Sequence, residues 1–116
     1  MAFRKIVDRL TTPTEELDRR DLEAWRVVQA ATPIDEIHLR TPVRVAGAVS
    51  SVRIVPRAGA DAVEITVQDG TGSVTAVFLG RRKIQGIAPG RRIEIEGVVG
   101  RSAGRSILYN PIYKLH

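Results

Sequence analysis

The sequence predicts a mainly β fold, a five-stranded Greek-key barrel carrying an N-terminal helical extension. Three observations predict it. After about residue 38, apolar and polar residues alternate with the period of two that marks half-buried strands. Turn residues cut that region into five runs. The residues before it follow the helical period of 3.6 instead. The expected division is 1–38 for the extension and 39–116 for the barrel.

In the extension, Phe3, Ile6, Val7 and Leu10 recur at i, i+3, i+4 and i+7, one apolar stripe of a short helix. That stripe suits packing against the barrel, a protein partner or a second copy. Thr12-Pro13-Thr14-Glu15 then opens a second helix: Thr12 caps, Pro13 takes the first helical position and Glu15 completes a capping box. Leu17, Ala24, Val28 and Ala31 form its apolar face, with Leu22 and Trp25 beside it, and Pro33 ends it.

In the barrel region, Val43 to Val55 is a long first strand with Gly47 inside it, where a bulge or bend is expected. Arg57-Ala58-Gly59-Ala60-Asp61 is a loop. Val63, Ile65 and Val67 alternate with Glu64, Thr66 and Gln68 in the second strand, and Asp69-Gly70-Thr71-Gly72 is a hairpin turn. The third strand is Ser73–Leu79. A connector follows from Arg81 to Gly90, with room for one helical turn and with Ile84 and Ile87 facing inward. The fourth strand, Arg92–Val99, turns Ile93, Ile95 and Val98 inward. Gly100–Gly104 is a hairpin loop, and the fifth strand is Ser106–Leu115. A long, bent first strand and a connector between the third and fourth strands are the arrangement of an OB-fold, in which the first strand serves both sheets. An SH3-like barrel, the main rival, has shorter strands and no ten-residue connector at that point.

Composition narrows the function. The 116 residues hold no cysteine, which excludes disulfides, thiolate metal sites and cysteine nucleophiles, and fits a reducing compartment. No stretch approaches the roughly 20 apolar residues of a membrane span, and the N-terminus lacks the apolar run of a secretory signal. A cytoplasmic protein is expected. The two histidines, His38 and His116, have no spaced partner, so neither a metal nor another cofactor is expected. Glu94 and Glu96, beside Arg91 and Arg92, read as cross-strand ion pairs rather than a catalytic dyad, and no nucleophile–base spacing or phosphate-binding loop is present. The expectation is a protein that is not an enzyme. The formal charge of +5 is unevenly spread. Residues 1–36 hold six Arg/Lys against eight Asp/Glu, a net of −2, and residues 37–116 hold twelve against five, a net of +7. A field of that sign attracts polyanions.

Val43-x-Val45-x-Gly47-x-Val49, Asp69-Gly70-Thr71-Gly72, Pro89-Gly90 and Ile93-x-Ile95-x-Gly97 resemble the pattern of OB-fold nucleic-acid-binding domains, among them the anticodon-binding domains of some tRNA synthetases and the wedge domain of RecG-type helicases. Ala31-Thr32-Pro33-Ile34, the run Phe78-Leu79-Gly80-Arg81-Arg82-Lys83-Ile84, and Tyr109-Asn110-Pro111-x-Tyr113 further resemble small stand-alone actinobacterial proteins of this family, where a tryptophan often stands at the position of Phe78. The resemblance implies binding of single-stranded DNA or RNA across the second and third strands, between the first-to-second and fourth-to-fifth loops.

Such binding needs cations for phosphates and aromatic faces for bases. Arg57 lies in the first loop, Arg101 and Arg105 flank the second, Arg44 and Arg53 stand on the first strand, and Arg81, Arg82 and Lys83 start the connector. Arginine outnumbers lysine fifteen to three, and suits bidentate phosphate contact and base stacking. Aromatic candidates are few: Phe78, whose strand parity fits either the core or a stacking platform, and Tyr109 and Tyr113, which share parity on the last strand. Phe78 and Tyr109 join the eight cations as the expected binding set. Thr66 and Gln68 stand on the exposed face of the second strand. The alternative reading is a protein-interaction module docking through the N-terminal helices, to which the −2 extension is suited.

Overall fold

One strand pairs on both sides and so joins the two halves of the sheet. β1 (Pro42–Val55) runs antiparallel to β4 (Arg92–Val98) over Pro42–Ala48 and to β2 (Ala62–Gln68) over Ala48–Val55. The computed structural model describes residues 14–116, with side chains from residue 18. The expected helix at Phe3–Leu10, the capping residues Thr12 and Pro13 and the Leu17 side chain lie outside the described residues. The first strand therefore serves both sheet halves, as expected of an OB-fold, but its irregularity falls between Val49 and Ser51 rather than at Gly47. Gly47 has a different task. A Cβ there would stand 2.2 Å from the Gln68 carbonyl oxygen, so its absence lets the β1 and β2 backbones approach where β1 changes partners.

β3 (Ser73–Leu79) continues the meander from β2, with the expected bounds. The rest of the barrel differs from the five expected strands. β5 (Gly100–Ser102) and β6 (Arg105–Tyr109) form a hairpin through Ala103 and Gly104, whose φ values of 51° and 77° fit a tight type I′ turn. β6 runs parallel to β3, and β7 (Ile112–Leu115) runs antiparallel to β4. The order is β5-β6-β3-β2-β1-β4-β7, a seven-stranded sheet in which the barrel is not closed. The single last strand that the alternation suggested is cut by Asn110, at φ 47°, and Pro111. A left-handed residue followed by one without an N–H cannot continue a ladder. Asn110 is held in that bend by its own bonds: its N–H donates to the Val77 carbonyl at 2.7 Å, and its Oδ1 accepts from the Leu79 N–H at 2.9 Å.

The core lies between the sheet's inward faces, around Val45, Ile65, Ile93, Ile95 and Leu108, all 0% exposed. Val98, expected inward, is 58% exposed. Strict alternation from Ile93 and Ile95 assigns the next inward position to Gly97, where Leu108 Cδ2 stands 3.3 Å from the site of a Cβ. Val99 then fills the core. The connector forms no helix, but Ile84 is buried and Ile87 half-buried, as expected.

Helix α1 (Thr14–Val28) stops well before Pro33. Ala30 takes a left-handed φ of 54°, the Ala30 N–H bonds the Val27 carbonyl and the Ala31 N–H bonds that of Arg26, a Schellman ending. Its packed face is Leu22, Trp25, Arg26 and Gln29, not the expected Ala24 and Val28, and Val28 is 78% exposed. Polar anchors choose that face. The fully buried Asp69 carboxylate lies 3.7 Å from Arg26 Nε. Its Oδ2 accepts the Ile34 N–H of a 3-10 turn (Ile34–Glu36) at 2.8 Å, and its Oδ1 accepts from Thr71 and Gly72. The hairpin turn thus also ties the extension to the barrel.

Gly47→Ala is expected to lower unfolding stability by about 3 kcal/mol in urea denaturation, because the new methyl meets backbone that cannot move aside without breaking the ladder.

Candidate functional site

Most of the expected site residues that meet do so on the outward face of β1, β2, β3 and β6. Pairing aligns Arg53, Glu64, Val77 and Tyr109 in one row across these four strands, with Ser51, Thr66, Thr75 and Ile107 in the next. At roughly 4.8 Å per strand, a row is about 14 Å wide. Val77 and Ile107 form its apolar floor with Ala62, each 2% exposed or less. At one end Tyr109 is 49% exposed, and the Arg57 guanidinium, from the β1–β2 loop, lies 5.9 Å from its ring centroid. That distance is at the outer limit of a cation–π contact.

Glu64 occupies the row's other half. It is 5% exposed, and its Oε1 accepts from Arg105 Nη1 at 2.9 Å and from Arg53 Nη2 at 3.1 Å. Burial alone pushes the Glu64 carboxyl up, but the hydrogen bonds and charges of Arg105 and Arg53 outweigh it and hold the group below its ordinary 4.5. Glu64 was legible only as a polar member of an alternating strand. Its partners lie 11 and 41 residues away, and only the register brings them together.

The other expected residues are placed elsewhere. Arg101 pairs opposite Ser106, so it projects from the other side of the hairpin from Arg105. Arg82 meets Asp61 at 3.2 Å, and with Lys83 it lines a groove of about 500 Å³ beside Val52, Ile54 and Ile84. Arg81 is exposed next to them. Arg44 does not reach the outward row: its Nη2 donates to the Gln29 carbonyl at the end of α1 at 3.0 Å, and its Nη1 lies 3.6 Å from Glu94. A cation satisfying the last carbonyls of a helix is well placed there. Phe78 is a core residue, 5% exposed, and meets Tyr113 edge-on at 5.5 Å, so it offers no stacking face. Thr66 and Gln68 keep the outward face expected of them. Of the two strand glutamates, Glu96 is exposed while Glu94 is 9% exposed. The partners of Glu94 are Arg44 and His116, whose Nε2 lies 2.6 Å from Glu94 Oε2, rather than the neighbouring Arg91 and Arg92. Trp25 meets His116 edge-on at 5.1 Å and lies under Arg92 at 5.3 Å, a cluster that sequence spacing did not reveal.

Residues 43–115 match the family model for the OB-fold nucleic acid binding domain. Among solved structures, the chain is similar to one in a replication protein A heterotrimer bound to ssDNA, with 15% identity, a TM-score of 0.51, and coverage of 78% of this chain and 75% of that one. No curated protein sequence matches it.

Phe78→Ala is expected to cost about 3–5 kcal/mol in denaturant unfolding, the cost of emptying a core aromatic position. A Glu64 pKa that is lower in the folded than in the unfolded chain stabilises the fold above pH 4.5, and that stabilisation is lost as pH falls through the folded value. Glu64→Gln should therefore show a shallower acid decline of Tm than the unaltered chain.

Proposed function

Because the chain belongs to the OB-fold nucleic acid binding domain family, we propose that its outward sheet face holds single-stranded DNA or RNA without catalysing a reaction. The observation that carries this reading is the half-exposed Tyr109 ring, bordered by Arg57 and standing at the end of an apolar-floored row. A base stacked on an aromatic ring contributes about 1–3 kcal/mol and is accepted with little regard to its identity. Arg57 sits where a phosphate next to that base would pass, while Arg101, on the other side of the β5–β6 hairpin, and Arg81 and Lys83, in the connector, add positive charge elsewhere on the barrel. Double-stranded nucleic acid buries its base faces in its own stack, so an aromatic platform favours single strands. With Phe78 in the core, the platform is small, and phosphate contact supplies most of the affinity with little sequence preference. The similar replication protein A chain, from a complex with ssDNA, agrees with this choice. A reducing, cytoplasmic setting fits the cysteine-free composition.

A second reading, docking on a protein through the helical extension, is favoured by Val27 and Val28, which are 65% and 78% exposed. The two readings use different surfaces and are compatible.

The test is anisotropy of labelled single-stranded DNA, single-stranded RNA and duplex across a salt series. Binding of single strands should weaken with salt at a log–log slope of about −0.7 per phosphate neutralised. Combining Arg57→Ala with Tyr109→Ala should weaken it about tenfold or more, the loss of one stacked base and one phosphate contact. Arg91→Ala, at a guanidinium held by the His116 carbonyl, should leave it unchanged. Absence of binding to all three ligands at low salt, or full affinity in the double variant, would overturn the proposal.

A further inference from the structure

The two arginines in the middle of the outward face converge on a single point. Arg53 comes from β1 and Arg105 from β6, on either side of β2, and both guanidiniums end at one oxygen of Glu64, at 3.1 and 2.9 Å. A phosphate bridging these two arginines would need one of its oxygens at that point. The carboxylate already stands there, on a side chain 6% exposed, against arginine side chains that are 62% and 47% exposed.

We infer that Glu64 is a specificity-determining residue of this face: it occupies the phosphate position between Arg53 and Arg105, and so restricts the middle of the row to the uncharged parts of a bound strand. This rests on the proposed binding of nucleic acid to the face. Three features support it. The carboxyl, held below its ordinary value by the two arginines, remains charged at neutral pH and repels a second anion. The neighbouring floor of Val77, Ile107 and Ala62 is apolar, and suits a base or sugar rather than a phosphate. Four cations with no carboxylate against them among the described residues, Arg57, Arg81, Lys83 and Arg101, lie off the row, in the β1–β2 loop, the connector and the edge hairpin. A strand is thus drawn along the edges of the face by its phosphates and turns its bases toward the row.

The experiment compares the salt dependence of binding of one labelled single-stranded oligonucleotide to three forms of the chain: unaltered, Glu64→Gln, and the triple variant Arg53→Gln, Glu64→Gln, Arg105→Gln. The triple variant avoids leaving a buried carboxylate unpaired. With Glu64 as the placeholder, the unaltered chain and the triple variant share one slope, because the arginines contact no phosphate in either. Glu64→Gln should then steepen the slope by about 0.7–1.4, one or two phosphates gained, and tighten binding at low salt. A triple variant with a flatter slope than the unaltered chain, or a Glu64→Gln chain that binds with unchanged slope, would overturn the inference. Should Glu64→Gln fail to fold by circular dichroism, the comparison of the unaltered chain with the triple variant still decides it. If the unaltered chain binds no strand, the proposed function has failed rather than this assignment.

Discussion

The outward face owes its chemistry to one extra residue in β1. Up to Val49 the odd-numbered residues point inward: Val45 and Val49 are core, and Gly47 lies against Gln68. Unbroken alternation would then turn Ser51 and Arg53 inward as well, since side chains change faces at every residue. The register shift between Val49 and Ser51 adds one residue without a partner, and the parity reverses. Beyond it, Arg53 stands outward opposite Glu64, while Val52 and Ile54 follow the inward side of Ile65 and Val63. Without that bulge a guanidinium would point at the core, and the buried carboxylate of Glu64 would lose a counter-ion.

A second reversal, at the other end of the chain, completes the face. Tyr109 and Tyr113 are four residues apart and would share a face on a continuous strand. The bend at Asn110 and Pro111 separates them. Tyr109 stays with β6 and looks outward beside Arg57, whereas Tyr113 on β7, paired with the buried Ile95 of β4, meets Phe78 edge-on. One tyrosine therefore stands on the outward face, and the other, 38% exposed, covers a core aromatic. The break also takes the chain from β3 to β4, so that one short segment adheres to strands far apart in the sheet order.

Much of this architecture was legible in the sequence. The alternation of Val63, Ile65 and Val67, the Asp69–Gly72 turn and the bounds of Ser73–Leu79 are local properties, and each was found where it was expected. What escaped depends on partners distant in sequence. A bulge is defined by the strand opposite, so Ser50 carries no mark of its own, while Gly47, which does, serves a close approach instead. The helix face was misjudged because Ala24 and Val28 satisfy the apolar period, while the packing is decided by Asp69 and His116, which no local pattern connects to Arg26 and Trp25. In the candidate site, the sequence supplied the cations but not their pairing. Arg44 was absorbed by the end of α1, and Arg53 and Arg105 by Glu64, through contacts that exist only after folding.

That pairing separates two electrostatic effects that a charge count merges. For a strand bound as proposed, the distant field is that of the summed charge, +5 for the chain with +7 in residues 37–116, attenuated over a Debye length of about 10 Å at 0.1 M salt. The row is of comparable width, about 14 Å, so at contact the strand meets individual groups instead. There the centre is nearly balanced, two guanidiniums about one buried carboxylate, and the excess lies at Arg57 and along the flanking loops. On the proposed function, attraction and seating thus fall to different residues. In the proposed function, the loop cation Arg57 would draw the polyanion in, and a compensated, apolar-floored centre would leave the ring of Tyr109 to select what settles there.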